Sequence, residues 1–285
     1  MSSDREPSVP SETSQARSAG AFVGRGSELA ELEGGLEEAL SGRGKLFLLG
    51  GEPGIGKSRL ADELGDEAAR RGAKVLWGRC WEAGGAPAYW PWVQALRSHF
   101  RDSDPHALDK QLGGGASDLV DLFPELKEIV PDLPEPSIPA DPEAARFRLF
   151  DSVCTFLKNA SESQPIVFVL DDLHAADTPS LLLLEFLAGE LTETHILVVG
   201  AYRDDDLGPD HPLGTALVDL GRHRVTRNLR LVGLSEANVA TFIQAATERV
   251  PPADVVTAVH QETEGNPLFV GEVIRLLASE GRLDR

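Results

Sequence analysis

Residues 51–58 read Gly-Glu-Pro-Gly-Ile-Gly-Lys-Ser, which sets Gly51, Gly56, Lys57 and Ser58 in the spacing of the P-loop pattern. These residue types in this order suit one task, holding a nucleoside triphosphate with magnesium. A triphosphate concentrates negative charge. Gly51, Gly54 and Gly56 let the backbone through Glu52, Pro53 and Ile55 curl until its N–H groups point inward as an anion nest. A helix starting at the end of the loop adds its positive N-terminal end. Lys57 supplies a point charge for the β and γ phosphates, and the Ser58 hydroxyl is a magnesium ligand.

A second set of candidates lies more than a hundred residues on, where Asp171 and Asp172 follow the apolar run 166–170. In a parallel sheet, ligands sit beyond the carboxyl ends of the strands. Two carboxylates there meet the triphosphate that the P-loop holds. Asp171, at the strand end, is assigned to magnesium, directly or through its waters, and Asp172 to orienting the attacking water. A third apolar run, 195–200, ends in Ala201-Tyr202-Arg203. Arg203 either reaches a γ phosphate and senses its loss, or pairs with Asp204, Asp205 or Asp206. His174 either touches the site or is an ordinary packed or exposed histidine. Arg79, Cys80 and Glu82 stand at the end of another strand, and Glu82 is a further candidate.

These residues need a scaffold, and the apolar pattern predicts alternating strands and helices. Leu29, Leu32, Leu36 and Leu40 form a helical stripe, interrupted by Gly34 and Gly35 at about 1 kcal/mol each relative to Ala. Strand 45–50, helix 58–71 and strand 74–79 follow. Residues 90–130 read as helical pieces broken at Asp102–Pro105 and Gly113–Gly115. The five prolines of 131–142 demand a loop, and Ala144–Leu157 is a helix with Phe147, Phe150, Val153 and Leu157 on one side. Strand 166–170, helix 179–190, strand 195–200 and strand 226–232 complete the pattern. Every strand reads as buried on both faces, which predicts an α/β fold with a parallel sheet covered by helices. Beyond Ser235 only helices are legible, at 235–247, 252–262 and 268–280. The expected organisation is a disordered tail over 1–20, a core over 21–232 and a helical lid subdomain over 233–285.

Composition narrows the partners. A net charge of −19 argues against broad nucleic-acid binding, which needs a basic surface. It does not oppose a phosphate site. Surface charges are screened beyond about 8 Å, whereas loop amides and Lys57 act at hydrogen-bond range. No apolar run approaches the ~20 residues that span a bilayer, so no membrane is expected. The polar start lacks the apolar stretch of a secretory signal. Cys80 and Cys154 form no metal set and suit buried thiols in a reducing cytoplasm.

In order along the chain, these segments resemble the ATPase module of the STAND class of signalling P-loop ATPases, within the AAA+ group. The likeness is to the module of large ATP-binding LuxR-type transcriptional regulators and of some bacterial multidomain cyclases, and it spans residues 21–281. Phe22-Val23-Gly24-Arg25 resembles the motif near the adenine, which makes Gly24 and Arg25 candidate nucleotide contacts. Gly78-Arg79-Cys80-Trp81-Glu82 resembles the second-strand segment, and Arg146-Phe147-Arg148-Leu149-Phe150 the helix before the acidic strand. Asp171-Asp172-Leu173-His174 resembles the acidic motif and Gly200-Ala201-Tyr202-Arg203 the sensor strand. Gly265-Asn266-Pro267-Leu268-Phe269-Val270 resembles the lid motif whose proline, here Pro267, packs near the base.

The resemblance implies a five-stranded sheet in the order 5-1-4-3-2 and a preference for ATP. It also implies a nucleotide-driven switch, with ATP favouring an open, self-associating state and ADP a closed one, under an effector that is a protein or a small molecule. Those regulators continue into helical repeats and a helix-turn-helix. None is legible here, so direct DNA reading is not expected of this segment. Lys57, Asp172 and Arg203 are the expected catalytic residues, with ATP or ADP and Mg2+ as cofactors. No arginine finger is legible, a device worth roughly 10³–10⁵ in rate elsewhere, so the expected ATPase is slow. The alternatives are a nearly silent, nucleotide-stabilised interaction module and the ATPase module of a cyclase. A small-molecule kinase would need an acceptor pocket and a mobile basic lid.

Overall fold

The computed structural model describes residues 22–130 and 141–279. The tail read at 1–20 and most of the loop read at 131–142 lie outside the described residues. The chain begins with α1 (Gly26–Leu40), β1 (Lys45–Gly50), α2 (Lys57–Arg70) and β2 (Lys74–Arg79). Helices α3 (Trp90–Asp102), α4 (Pro105–Leu112), α5 (Ala116–Leu119), α6 (Leu126–Ile129) and α7 (Pro142–Ser163) lead to β3 (Ile166–Asp171). Then come α8 (Thr178–Glu190), β4 (Ile196–Ala201), α9 (Pro212–Leu220) and β5 (Thr226–Arg230). The last described elements are α10 (Glu236–Thr247), α11 (Ala253–Thr263) and α12 (Pro267–Ser279).

The five strands form one parallel sheet in the order β2-β3-β4-β1-β5, the same arrangement as 5-1-4-3-2. β3 and β4 are buried along their whole length, and β1 from Leu46 onward. Their Val, Ile, Leu and Phe side chains fill both faces, each worth about 1.5–3 kcal/mol of burial. Trp92 of α3 lies against Phe168 with ring centroids 5.0 Å apart. The edge strands correct the expectation of two-sided burial: β2 is only partly covered, and β5 exposes Arg227, Asn228 and Arg230. An edge strand has one neighbour, and polar residues can stay wet there. β5 also stops at Arg230 rather than 232, because β1 ends at Gly50 and offers no further register beyond that pair.

Two local rules explain departures at helices. α7 begins two residues before the expected Ala144, since Asp141 accepts hydrogen bonds from the N–H groups of Glu143 and Ala144 and Pro142 suits the first turn. In α1 the Gly35 interruption is a packing requirement, because an added Cβ would lie 2.3 Å from the Phe47 ring of β1. Gly34 faces open space.

Contacts divide the chain into two compact units. The larger comprises Arg25–Gly233 with Asn266–Phe269 and contains the sheet. The smaller contains Leu234–Gly265 and the residues from Val270 onward. Its own core joins Leu234, Val239, Ile243, Val256, Val259, Val270 and Ile274. Among the described residues no helix is long and apolar enough to cross a membrane.

Candidate nucleotide site

The P-loop sits between the carboxyl end of β1 and the first turn of α2. Gly54 and Gly56 hold φ values of +77° and +104°, which side-chain-bearing residues rarely adopt. Gly56 is also the residue on which α2 starts, so the unpaired N–H groups of the first turn face the loop. Ile55 is buried and anchors the loop to the core. Lys57 is only 8% exposed. Its ammonium donates to the carbonyl oxygens of Gly51 at 2.8 Å and Glu52 at 2.9 Å. Burial, and then the charge of Arg203, depress its pKa. Glu52 therefore contributes its backbone, while its side chain faces outward.

Ser58 donates its hydroxyl to Asp171 Oδ2 at 2.9 Å across 113 positions of sequence. Asp171 is 2% exposed, and burying a carboxylate requires compensating donors. It has two more: the backbone N–H of Asp172 at 3.1 Å and Arg79 Nη2 at 2.8 Å. A hydroxyl and a carboxylate are hard oxygen ligands that fit magnesium. Adjacent ligands of an octahedron with ~2.1 Å bonds lie about 3 Å apart, close to the Ser58–Asp171 separation.

Beyond Asp171 the site changes character. Asp172 takes the left-handed conformation with φ 58°, and the chain then makes a single 3-10 turn over Leu173–Ala175. Burial, reinforced by the charge of Asp171, raises the Asp172 pKa, and Arg79 opposes the rise. Arg79 Nε lies 3.6 Å from Asp172 Oδ2, and Arg203 Nη2 lies 4.0 Å from Asp172 Oδ1. Arg203 donates to Glu82 Oε1 and has Asp206 at 3.8 Å. Of its anticipated partners, Asp204 instead meets Arg230 at 2.9 Å. His174 Nε2 lies 3.2 Å from Glu82 Oε1 and 3.6 Å from Asp206 Oδ2, with its side chain 6% exposed.

The residues that resemble base-contacting motifs are placed as follows. Arg25 is buried, donates to the carbonyl oxygens of Ile55 and Val232, and pairs with Glu28. It braces the P-loop against the segment after β5. Gly24 takes a φ of +71° close to Leu234 and Asn238. Pro267 opens α12. Just before it, buried Asn266 donates from Nδ2 to the Pro53 carbonyl at 3.0 Å and accepts at Oδ1 from the Leu268 N–H at 3.1 Å. Asn266 and Arg79 were not among the sequence candidates. Both stood inside segments that carry the resemblance, but the pairing of Arg79 with Asp171 follows only from the parallel register that sets the two opposite each other.

A parallel sheet in this order, a P-loop between β1 and α2, and a Ser58–Asp171 pair suited to magnesium define a P-loop NTPase core of the AAA+ kind. Residues 21–199, more than half of the chain, match the family model described as AAA ATPase domain, and the chain belongs to that family. Among solved structures it is similar to a Signal Transduction ATPase with Numerous Domains (STAND) protein with a tetratricopeptide repeat sensor from Pyrococcus horikoshii. That match has a TM-score of 0.52 and 15% identity, covering 89% of this chain and 30% of that one. Cdc6p from Pyrobaculum aerophilum matches with a TM-score of 0.52 and 13% identity, over 91% of this chain and 63% of that one. At these identities the likeness is one of fold, and the chain spans less than two thirds of either structure. No curated protein sequence matches.

Proposed function

We propose that the chain binds ATP with magnesium and hydrolyses it slowly, as the nucleotide-sensing switch of a cytoplasmic STAND-type signalling protein, in the manner of the large transcriptional regulators it resembles. The observation that carries the reading is the Ser58–Asp171 contact beside buried Lys57, which joins the first turn of α2 to the end of β3 and suits a triphosphate with magnesium. Lys57 exchanges its two loop carbonyls for phosphate oxygens. Ser58 and Asp171 would hold magnesium, which would supply positive charge to offset that of the phosphates. Asp172 orients the attacking water. Arg203 and Pro267 respond to the γ phosphate and the base. ATP and ADP states then differ in self-association, under an effector that binds elsewhere.

Slow turnover follows from the cations. Arg203 is engaged by Glu82, and Arg79 by Asp171 and Asp172. Neither is free to meet transition-state charge until a carboxylate releases it. The same observation favours a second reading, an interaction module that retains ADP and barely turns over. Phosphate release with ATP and magnesium separates the two. Magnesium-dependent release that follows protein concentration supports the ATPase. Tight ADP retention without release supports the module, and failure to bind either nucleotide removes both.

A further inference from the structure

Glu82 enters the nucleotide reading only as the partner that engages Arg203, yet its carboxylate stands at the centre of the charged cluster. Just beyond β2, it accepts from Arg203, which lies just beyond β4, while His174 from the turn after β3 approaches the same oxygen at 3.2 Å. Three strand ends therefore converge on one carboxylate oxygen. His174 is nearly buried, with its side chain 6% exposed, whereas Glu82 is about half exposed. Arg203 is less buried, about a third exposed, with Asp172 and Asp206 at 4.0 and 3.8 Å as longer alternatives.

We propose that Glu82 is a positioning residue that sets the preference between ATP and ADP, by competing with the γ phosphate for the Arg203 guanidinium. The inference rests on the ATP reading above. ADP has no γ phosphate and leaves Arg203 on Glu82. ATP draws Arg203 away, so the lost ion pair subtracts from ATP affinity alone. Glu82 is about half exposed, so the competition is modest, on the order of two- to fivefold, the size of an exposed ion pair.

The test is titration of the full chain with a non-hydrolysable ATP analogue and with ADP, each with magnesium. Four proteins are compared: wild type, Glu82→Gln, Arg203→Gln and the double variant. ADP affinity doubles as the check that each variant is folded. Glu82→Gln is expected to tighten the analogue about two- to fivefold and leave ADP unchanged. In the Arg203→Gln background the same substitution is expected to do nothing. Equal changes for both nucleotides, a weaker analogue, or an unchanged ratio would overturn the competition while leaving the ATP reading intact. Tightening that survives in the Arg203→Gln background would also overturn it, because Glu82 would then act by direct repulsion of phosphate. Binding of neither nucleotide to the wild type would remove the ATP reading and this inference together.

Discussion

The phosphate loop and the charged rim beside it are built on opposite plans. In the loop, backbone geometry provides the function. Gly54 and Gly56 hold positive φ, Ile55 anchors the turn in the core, and buried Lys57 is tied to two carbonyls of the same loop. The rim consists of charged and titratable side chains from the ends of β2, β3 and β4, namely Arg79, Glu82, Asp172, His174 and Arg203, meeting at the carboxyl ends of the strands. A backbone nest has one arrangement that the core enforces. A set of half-exposed ion pairs has several of similar energy. The loop is thus suited to hold a ligand, and the rim to register what the ligand carries.

Substitutions in the loop should cost far more than substitutions in the rim. Lys57→Ala is expected to weaken ATP and ADP by at least about thirtyfold, since truncating one partner of a buried charge contact costs roughly 2–5 kcal/mol. Equilibrium binding measures this, and retention of wild-type affinity would break the comparison at its stronger end. Asp171→Asn keeps the shape and removes the charge. It is expected to raise the magnesium concentration for half-maximal phosphate release by about ten- to a hundredfold, from the ~1.5–3 kcal/mol of a charged hydrogen bond. Arg79→Ala should act in the other direction. Arg79 occupies an Asp171 oxygen that the proposed magnesium would use, yet it is 66% exposed. Its removal should lower the magnesium requirement by no more than about fivefold.

The smallest effect concerns the cysteines. Burial pushes the Cys80 and Cys154 thiols up to about 12. Reaction with alkylating reagents needs the thiolate, so the folded chain should resist labelling at neutral pH and label fully only in denaturant. Ready native labelling of Cys80, which follows β2 next to the rim, would mean that the rim opens further than its ion pairs imply.

The same contrast decides what was legible in the sequence. Gly51 to Ser58 could be read because the chemistry is local: eight consecutive residues make the turn, the nest and the helix start. Asp171 was legible because a fully apolar run places it at a strand end. Neither reading needed to know which strands are neighbours. Arg79–Asp171 and Glu82–Arg203 depend on β2, β3 and β4 lying side by side, an order that periodicity does not encode. Local spacing told only part of the story for Arg203: Asp206 lies 3.8 Å from it as one of the three nearby acids, but Arg230 claims Asp204 and the shorter contact is to distant Glu82. The edge strands carried the same weakness, because burial on both faces was inferred from neighbours that β2 and β5 lack on one side. Asn266 was hidden for another reason. A buried amide that ties the segment before α12 to the Pro53 carbonyl shows no periodicity at all.

The central claim is that the loop holds ATP while an acid at the edge of the rim turns it over. Single-turnover phosphate release from prebound ATP, in the wild type and in Asp172→Asn, tests it most directly. Asp172→Asn is expected to bind ATP with near wild-type affinity and to release phosphate at least about a hundredfold more slowly, within the 10²–10⁴ range of a positioned proton-accepting group. Phosphate release at the wild-type rate from the Asp172→Asn protein would contradict the account.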